Sequence, residues 1–170
     1  MRIEWEIVWR SGFFWDFWAE YPVFQGATEL SLDAKGRLSV PTEHREVLAV
    51  QAEGRLVITA HPHRCLLMYP RPAWEPIRTQ IMSYSSLERQ TSMVQRLLVG
   101  FAKEVEMDGS GRVLVAPELR RYATLEKQVM LVGQGSHFEL WNLEAWEQQI
   151  EQIVAQGDNL LPPGMEKFSL

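Results

Sequence analysis

Hydrophobic and polar residues alternate along two similar stretches of the chain, "ATELSLDAKGRLSV" (residues 27–40) and "AKEVEMDGSGRVLV" (residues 102–115). A period of two is typical of strands that bury one face and leave the other in water. In both stretches a short polar loop interrupts the alternation, "DAKGR" in the first and "DGSGR" in the second. Each stretch therefore predicts two short strands that flank a loop.

The two stretches are copies of one another at a shift of 75 residues, which places Asp33 on Asp108 and Arg37 on Arg112. We extend the alignment further along the chain after one inserted residue in the second copy. The further matched pairs are Pro41 with Pro117, Arg45 with Arg121, Tyr69 with Trp141 and Trp74 with Trp146. The chain is therefore an internal duplication of a unit of about 50 residues.

Each copy continues from its loop in the same way. A proline opens a short helical stretch, where its missing N–H would have no partner in any case ("PTEHREVLAV", "PELRRYATL"). Two apolar runs then predict two more strands, "RLVITA" with "CLLMYP" and "QVMLVG" with "HFELWN". The fold class is mainly β with helices (α+β). Because a unit of about 50 residues buries little core alone, we expect the two units to pair obligately.

Two longer helices are predicted outside this pattern. "SSLERQTSMVQRLLVGFA" has a capping box formed by Ser85 and Glu88, with apolar residues from Leu87 to Phe101 along one side. "EAWEQQIEQIVAQ" places apolar residues at helical spacing before Gly157 and a proline-bearing tail that we expect to be irregular. The predicted organisation is an N-terminal extension (1–23), a first unit (24–80), a linking helix (81–100), a second unit (101–147) and a C-terminal helix end and tail (148–170).

Composition indicates a soluble, cytosolic protein, because 46% of the 170 residues are apolar, Cys65 is the single cysteine, and no run of about 18 apolar residues could span a membrane. The net charge of −5 is unevenly distributed. Residues 24–98 carry 9 basic and 7 acidic residues, whereas residues 99–170 carry 6 and 11. Since nucleic-acid binding depends on local clusters of cations, the acidic total does not exclude it.

The repeated loop combines residue types with separate tasks. The aspartate is expected to accept hydrogen bonds from loop amides and to hold the arginine, while the glycine allows the chain to reverse. The arginine then presents a planar, permanently charged fork that suits a phosphate or the O6 and N7 atoms of guanine. The residues are Asp33, Gly36 and Arg37 in the first loop and Asp108, Gly111 and Arg112 in the second, with Lys35 as an added cation that Ser110 replaces. The alternative is a purely structural turn.

Both copies, "DAKGRLSVPTEHREVL" and "DGSGRVLVAPELRRYATL", resemble the D-x-x-G-R-[VIL]-x-[VIL]-P-x-x-x-R signature of AbrB-like (SpoVT-AbrB) swapped-hairpin DNA-binding domains. Together with "FQGATELSLDAKGRLSVP", "CLLMYP", "VQRLLVGFA" and "VMLVGQGSHFELWN", their tandem arrangement resembles the MraZ family of bacterial transcriptional regulators. The resemblance runs from about Phe24 to Trp146, which is most of the chain.

This resemblance implies two half-units packed as one double-ψ, swapped-hairpin barrel, assembled into a ring-shaped homo-oligomer on the nucleoid. It implies a repressor of the division and cell-wall gene cluster that binds G-rich direct repeats in double-stranded DNA of its own promoter, without enzymatic activity or cofactor. The implied DNA contacts are Lys35, Arg37 and Arg112, and the implied loop supports are Asp33, Gly36, Asp108 and Gly111. Ala34, Ser110 and the insertion before Pro117 depart from the pattern. We therefore expect the first loop to read bases and the second mainly to position it.

Other candidate sites have simpler interpretations. The "HPHRC" stretch, from His61 to Cys65, has ligand residue types but falls between two predicted strands, so we interpret it as a hairpin turn and predict no metal site. Glu104 and Glu106 alternate along a strand and indicate a solvated face. Trp74 and Trp146 are expected in helix packing. No P-loop, G-x-S-x-G or H-E-x-x-H motif is present, so the sequence gives catalysis no anchor.

The first 22 residues hold four of the seven tryptophans and have no counterpart in the second copy. Because "VFQGATEL" resembles the usual start of the family, we hypothesise that translation begins at Val23; the alternative is a genuine aromatic arm. An intact protein mass that includes Met1 would contradict the hypothesis. For the whole chain, the alternative to a DNA-binding repressor is an oligomeric, antitoxin-like interaction module whose acidic C-terminal part captures a protein partner.

Overall fold

The computed structural model describes residues 23–157. The predicted N-terminal extension and the irregular C-terminal tail, residues 1–22 and 158–170, lie outside the described residues. The strands are β1 (Ala27–Ser31), β2 (Arg37–Ser39), β3 (Arg55–Ala60), β4 (Leu66–Pro70), β5 (Lys103–Glu106), β6 (Arg112–Leu114), β7 (Gln128–Gly133) and β8 (Phe138–Asn142). The helices are α1 (Thr42–Ala52), α2 (Arg71–Ser83), α3 (Arg89–Val94), α4 (Pro117–Tyr122) and α5 (Leu143–Gln156), and a π-helical turn (Gln95–Val99) follows α3.

The predicted order of strand, loop, strand, helix, strand, strand is confirmed in both units, as is the α+β class. Each unit also ends in a helix that starts directly after its last strand, α2 after Pro70 and α5 after Asn142. The Asn142 side chain caps α5 by accepting a hydrogen bond from the Ala145 N–H. Trp74 packs beside Tyr69, and Trp146 packs at 6.0 Å from Trp141, so the predicted packing role of both helix tryptophans is confirmed.

The two units complete each other's sheets. A six-stranded antiparallel sheet has the order β1-β7-β8-β4-β3-β5, and β2 pairs with β6 in a separate two-stranded sheet. Strand β1 of the first unit lies beside β7 of the second, with Leu30 opposite Val129, and β5 of the second unit lies beside β3 of the first, with Val105 opposite Leu56. This exchange of strands shows that the two units pair with each other and fits the swapped-hairpin arrangement.

The core is shared in the same way. Leu38 of β2 and Val113 of β6 lie opposite each other with no exposed surface. Other large side chains from both units that are at most 1% exposed in this core include Leu48, Leu56, Leu66, Leu119, Phe138 and Leu140. Because burying each of these side chains contributes about 1.5–3 kcal/mol, neither unit keeps its core without the other.

The linking segment differs from the single capped helix that was predicted. The Ser85 hydroxyl accepts from the Leu87 N–H at 3.3 Å, and this local hydrogen bond competes with helix formation. The helix begins at Arg89, with Glu88 in an extended conformation as its N-cap and without a side-chain capping bond. Leu87, which was expected on the apolar side of the helix, is 95% exposed. The predicted capping box is therefore wrong.

The insertion predicted before Pro117 is also wrong. Arg45 Nε donates to the carbonyl of Val40 at 2.7 Å, and Arg120 Nε donates to the carbonyl of Val115 at 3.0 Å. Both pairs keep the shift of 75 residues, so Arg45 corresponds to Arg120. The residues that precede the two helices as N-caps are Pro41 and Ala116, and Pro117 is the first helical residue of α4. Proline is tolerated at either position, and this tolerance made the two prolines look equivalent.

Candidate nucleic-acid interface

The first loop is a compact Asx turn held by Asp33. Its Oδ1 accepts from the backbone N–H groups of Lys35 and Arg37, both at 2.9 Å, and its Oδ2 accepts from Arg37 Nε at 2.6 Å. The Asp33 carbonyl also accepts from the Gly36 N–H at 2.9 Å. Gly36 has φ of +80°, a left-handed conformation that side chains disfavour, which explains why glycine stands there.

The second loop repeats this geometry. Asp108 Oδ1 accepts from the N–H groups of Ser110 and Arg112 at 2.9 and 3.0 Å, and Oδ2 accepts from Arg112 Nε at 2.9 Å. Gly111 has φ of +75°. The two loops therefore have the same pose, and the difference between them is chemical, with Ser110 where the first loop has Lys35.

The loop arginines are held at one end and open at the other. In both, the hydrogen bonds to described residues use Nε, and within residues 23–157 neither Arg37 nor Arg112 donates from its terminal Nη groups. Their side chains are 30% and 37% exposed. Lys35, beside Arg37, is exposed. The terminal fork of each arginine is therefore oriented by its aspartate and keeps unused donors at the surface.

The pKa values of the two aspartates fit this arrangement. The hydrogen bond from the Arg37 N–H is the main reason that the pKa of Asp33 falls from 3.8 to about 2, and the Arg37 guanidinium acts in the same direction. The Arg112 N–H likewise lowers the pKa of Asp108. Both carboxylates are ionised at neutral pH, so each loop retains its internal ion pair.

The antiparallel pairing of β2 with β6 sets the spacing of the loops. The carbonyl of Gly36 accepts from the Val115 N–H at 3.0 Å, and the carbonyl of Gly111 accepts from the Val40 N–H at 2.8 Å. The two glycines therefore lie at opposite ends of the strand pair, about 13 Å apart along the strands at 3.3 Å per residue.

Each loop also contacts an arginine from the other unit, which the sequence interpretation missed. Arg120 of α4 lies against Gly36, and Arg45 of α1 lies against Gly111, so closely that a Cβ atom on either glycine would overlap the guanidinium. The sequence did contain a signal for this contact, because Arg45 and Arg120 both occupy the final arginine position of the D-x-x-G-R-[VIL]-x-[VIL]-P-x-x-x-R signature. The false insertion paired Arg45 with Arg121 instead and concealed the symmetry.

The other predicted features are found away from these loops. The "HPHRC" stretch forms the turn between β3 and β4, and Cys65 is buried, which raises the pKa of its thiol to about 12. Within the described residues, no group of three or more His, Cys, Asp or Glu side chains is placed to hold a metal ion. Glu104 and Glu106 are exposed on β5, as predicted, and Glu104 pairs with Arg71 at 3.5 Å.

A family model described as "MraZ protein, putative antitoxin-like" matches the chain twice, over residues 23–97 and 98–159. The chain belongs to the MraZ family. Each of the two matches contains one D-x-x-G-R loop, in agreement with the duplication and with the tandem swapped-hairpin fold. A helix long and apolar enough to cross a membrane is not found between residues 23 and 157.

Several members of the MraZ family align with this chain over nearly their whole length. A protein of Methylobacillus flagellatus is 62% identical over 148 residues, which are 87% of this chain and 100% of the relative. A relative from Dechloromonas aromatica is 54% identical over 142 residues, which are 84% of this chain and 96% of the relative. A relative from an Azoarcus species is 55% identical over 148 residues, which are 87% of this chain and 100% of the relative. All three carry the name "Transcriptional regulator MraZ", which is that of a regulator and not of an enzyme.

Proposed function

We propose that this protein is a sequence-specific DNA-binding transcriptional regulator that contacts duplex DNA through its two D-x-x-G-R loops. The observation that carries the proposal is the twin Asp–Arg arrangement, in which Arg37 and Arg112 are fixed through Nε and keep their terminal donors unused. The names of the MraZ relatives support a role in transcription. A purely structural turn would not require arginine forks that keep unused donors at the surface.

The fixed arginine suits the reading of guanine. With Nε engaged by the aspartate, the two terminal Nη groups remain for a bidentate contact with O6 and N7 in the major groove. Such a contact discriminates against the wrong base by about 1–3 kcal/mol. Because the Asp33 ion pair already orders the Arg37 side chain, less conformational entropy is lost on binding.

The two loops contribute unequally. Around the first loop, Lys35, Arg37 and Arg120 outnumber the single carboxylate of Asp33. Around the second loop, Arg112 and Arg45 face Asp108, and Ser110 adds no charge. The first loop therefore has the greater local positive charge and is the main reader in our proposal, with Lys35 on a phosphate. The second loop positions the protein on the backbone.

The family resemblance extends the proposal to a target and an assembly. The protein represses the division and cell-wall gene cluster from G-rich direct repeats in its own promoter, as a ring-shaped homo-oligomer on the nucleoid. A single loop with one or two cationic contacts binds weakly, whereas several linked loops matched to evenly spaced repeats multiply their affinities. Assembly and repeated sites therefore belong to the same mechanism.

The test compares Arg37→Ala with the wild-type protein on duplexes that carry tandem G-rich repeats or the same bases scrambled. We expect the substitution to abolish the preference for the repeats while the oligomer keeps its size, because Arg37 lies in the loop and outside the core. The control is Arg55→Ala, because Arg55 is a partly exposed arginine of β3, outside the loops, whose ion pair with Glu53 is long at 3.9 Å. Retained discrimination in Arg37→Ala would contradict the assignment.

The second candidate is an antitoxin-like module that captures a protein partner. Two observations favour it, namely the description of the family model and the excess of acidic residues after residue 99. Salt separates the candidates. DNA binding should weaken steeply as salt increases and should need tandem repeats, because it releases counterions from phosphates. A partner-capturing module would show no dependence on repeated DNA.

A further inference from the structure

The outer face of the β2–β6 strand pair carries one apolar side chain. Side chains alternate along both strands, and because Leu38 and Val113 are fully buried in the core, the residues before and after them lie on the opposite, outer face. These outer residues are Arg37, Ser39, Arg112 and Leu114. Leu114 is 49% exposed. A single exposed leucine is common on protein surfaces, so its position among the loop arginines is the informative observation.

Leu114 lies beside the arginine of the first loop. It stands directly opposite Arg37 in the strand pair, an arrangement that brings the Cβ atoms of two residues to about 4.5–5.5 Å. The equivalent residue in the first copy is Ser39, which stands opposite Arg112. The two loop arginines are held by the same hydrogen bonds but have different neighbours. Arg37 has an apolar side chain beside it, and Arg112 has a hydroxyl.

Positive charge surrounds Leu114. Its neighbour Arg37 keeps unused terminal donors. Arg120 is bound through Nε to the carbonyl of the residue after Leu114, at 3.0 Å, and between residues 23 and 157 its Nη groups have no hydrogen-bond acceptor. The corresponding arginine, Arg45, also donates from Nη2 to the Ser39 hydroxyl at 3.1 Å. Leucine in place of serine therefore leaves a second guanidinium with free donors beside the apolar surface.

A strand pair with this outer face suits the major groove of DNA. The groove is about 12 Å wide and admits a two-stranded β-ribbon, and the guanidinium groups complement the phosphates at its edges. The apolar group that base edges present in this groove is the C5-methyl group of thymine. Stacked base pairs are about 3.4 Å apart, so an arginine on guanine places a side chain about 5 Å away over the next base pair.

We propose that Leu114 is a specificity-determining residue, which packs on the C5-methyl group of a thymine beside the guanine that Arg37 reads. Ser39, in the same place beside Arg112, makes no such contact, because its hydroxyl is polar and is engaged by Arg45. The inference rests on the proposed function and extends it, since the second unit supplies a base contact next to the loop of the first. Each first loop then reads two adjacent base pairs, guanine through Arg37 and thymine through Leu114.

The test uses the full-length chain and the promoter repeats of its own gene, prepared as duplexes with thymine or with deoxyuridine throughout. These duplexes differ only in the C5-methyl groups. We expect the wild-type protein to prefer the thymine duplex by about fourfold for each bound loop, which is the effect of burying one methyl group. Leu114→Ser should bind both duplexes equally, and the first copy shows that this strand position accepts serine.

Two control variants separate this contact from a general loss of binding. Leu114→Val keeps an apolar side chain and should retain part of the preference for thymine. Val50→Ser, at a 77% exposed position of α1, should retain all of it. Replacing guanine by 7-deazaguanine, which lacks the N7 acceptor, should weaken binding of wild type and Leu114→Ser by the same factor, because Arg37 is intact in both.

Equal affinity of the wild-type protein for the thymine and deoxyuridine duplexes would overturn the role of Leu114. So would a preference in Leu114→Ser as large as that of the wild type, even at a lower affinity for both duplexes, because a purely structural role gives that result. In either case a retained preference for repeats over scrambled DNA would leave the proposed function standing. A wild-type protein that does not distinguish the repeats from scrambled DNA would overturn both.

Discussion

The guanidinium of Arg120, on the helix of the second unit, lies against Gly36, in the loop of the first unit. The relationship is reciprocal, because Arg45 of the first unit lies in the same way against Gly111 of the second. Each arginine is anchored in turn by a hydrogen bond from Nε to a backbone carbonyl of its own unit. The two loops are thus braced across the boundary between the units.

Replacing Gly36 by alanine should weaken DNA binding in addition to straining the backbone. The control is Gly135→Ala, because Gly135 has a similar φ of +76° but no atom within 4 Å of the position that a methyl group would take, whereas a methyl group on Gly36 meets Arg120. Both substitutions strain the backbone by roughly 1–2 kcal/mol. We expect DNA affinity to fall by about tenfold or more in Gly36→Ala alone, equivalent to about 1.4 kcal/mol or more. Equal affinities of the two variants, measured by fluorescence anisotropy, would argue against a role for Arg120.

Arg45→Ala should disturb the loop of the other unit. Because the Arg45 guanidinium lies on Gly111, its loss should shift the amide resonances of the second loop, Gly111 above all, and leave Gly36 nearly unchanged. Arg120→Ala should produce the opposite pattern. Two-dimensional NMR spectra of the two variants make the comparison. If the resonances shift only in the loop of the unit that carries the substitution, the contact between each arginine and the loop of the other unit is contradicted.

The strands and loops followed from the sequence because alternation and turn residues are local signals. The pairing of β1 with β7, almost 100 residues apart, left no such signal in a single sequence. The arginine brace was missed for a different reason, since the proline that opens each helix stands one position apart in the two units and shifted the alignment. The capping box was predicted wrongly because a serine hydroxyl can accept a backbone N–H either in a turn or at a helix N-terminus, and Ser85 does so in a turn.

Exchanging the third residues of the two loops should exchange their electrostatic contributions. Lys35→Ser removes a cation that we place on a DNA phosphate, so the slope of log K against log salt should decrease by about 1 per bound loop. Ser110→Lys should increase it by a similar amount. Affinity measured between low and high salt gives both slopes. An unchanged slope in Lys35→Ser would remove this side chain from the phosphate contact.

The Asp33 carboxyl should titrate at a pKa of about 2, well below the ordinary 3.8, because it accepts hydrogen bonds from the Arg37 and Lys35 amides. A group whose pKa is lower in the folded state stabilises that state when it is ionised. Its contribution is therefore complete above pH 4 or so and is lost as the pH falls from 3.8 toward about 2. Carbon-detected NMR of the carboxyl gives the pKa. The stability difference between wild type and Asp33→Asn should shrink over the same interval, and a difference independent of pH would contradict hydrogen bonding to the ionised carboxylate as its cause.

His137 should make the fold less stable in mild acid. Its ring stacks on Tyr69 at 4.6 Å, and burial lowers its pKa from 6.5, with Glu139 acting in the opposite direction and His61 in the same one. Because the unfolded chain binds the proton more readily, the free energy of unfolding should decrease as the pH falls below 6.5. His137→Phe keeps a stacked ring and removes the proton site. Urea unfolding at about pH 7.5 and about pH 5.5, on either side of the ordinary histidine pKa, should show a smaller decrease in this variant, and an identical decrease would assign the effect elsewhere.

The exchange of strands also sets the order in which the protein can fold during synthesis. Strand β1 leaves the ribosome long before its partner strand β7, since the paired residues Ser31 and Gln128 are far apart in the chain. At translation rates of about 5–20 residues per second, the first unit waits on the order of 5–20 s for its partner strand. Throughout that delay the unpaired edges of its strands and its uncovered core residues can contact other nascent chains. The protein is therefore most prone to aggregate before its second unit has been synthesised.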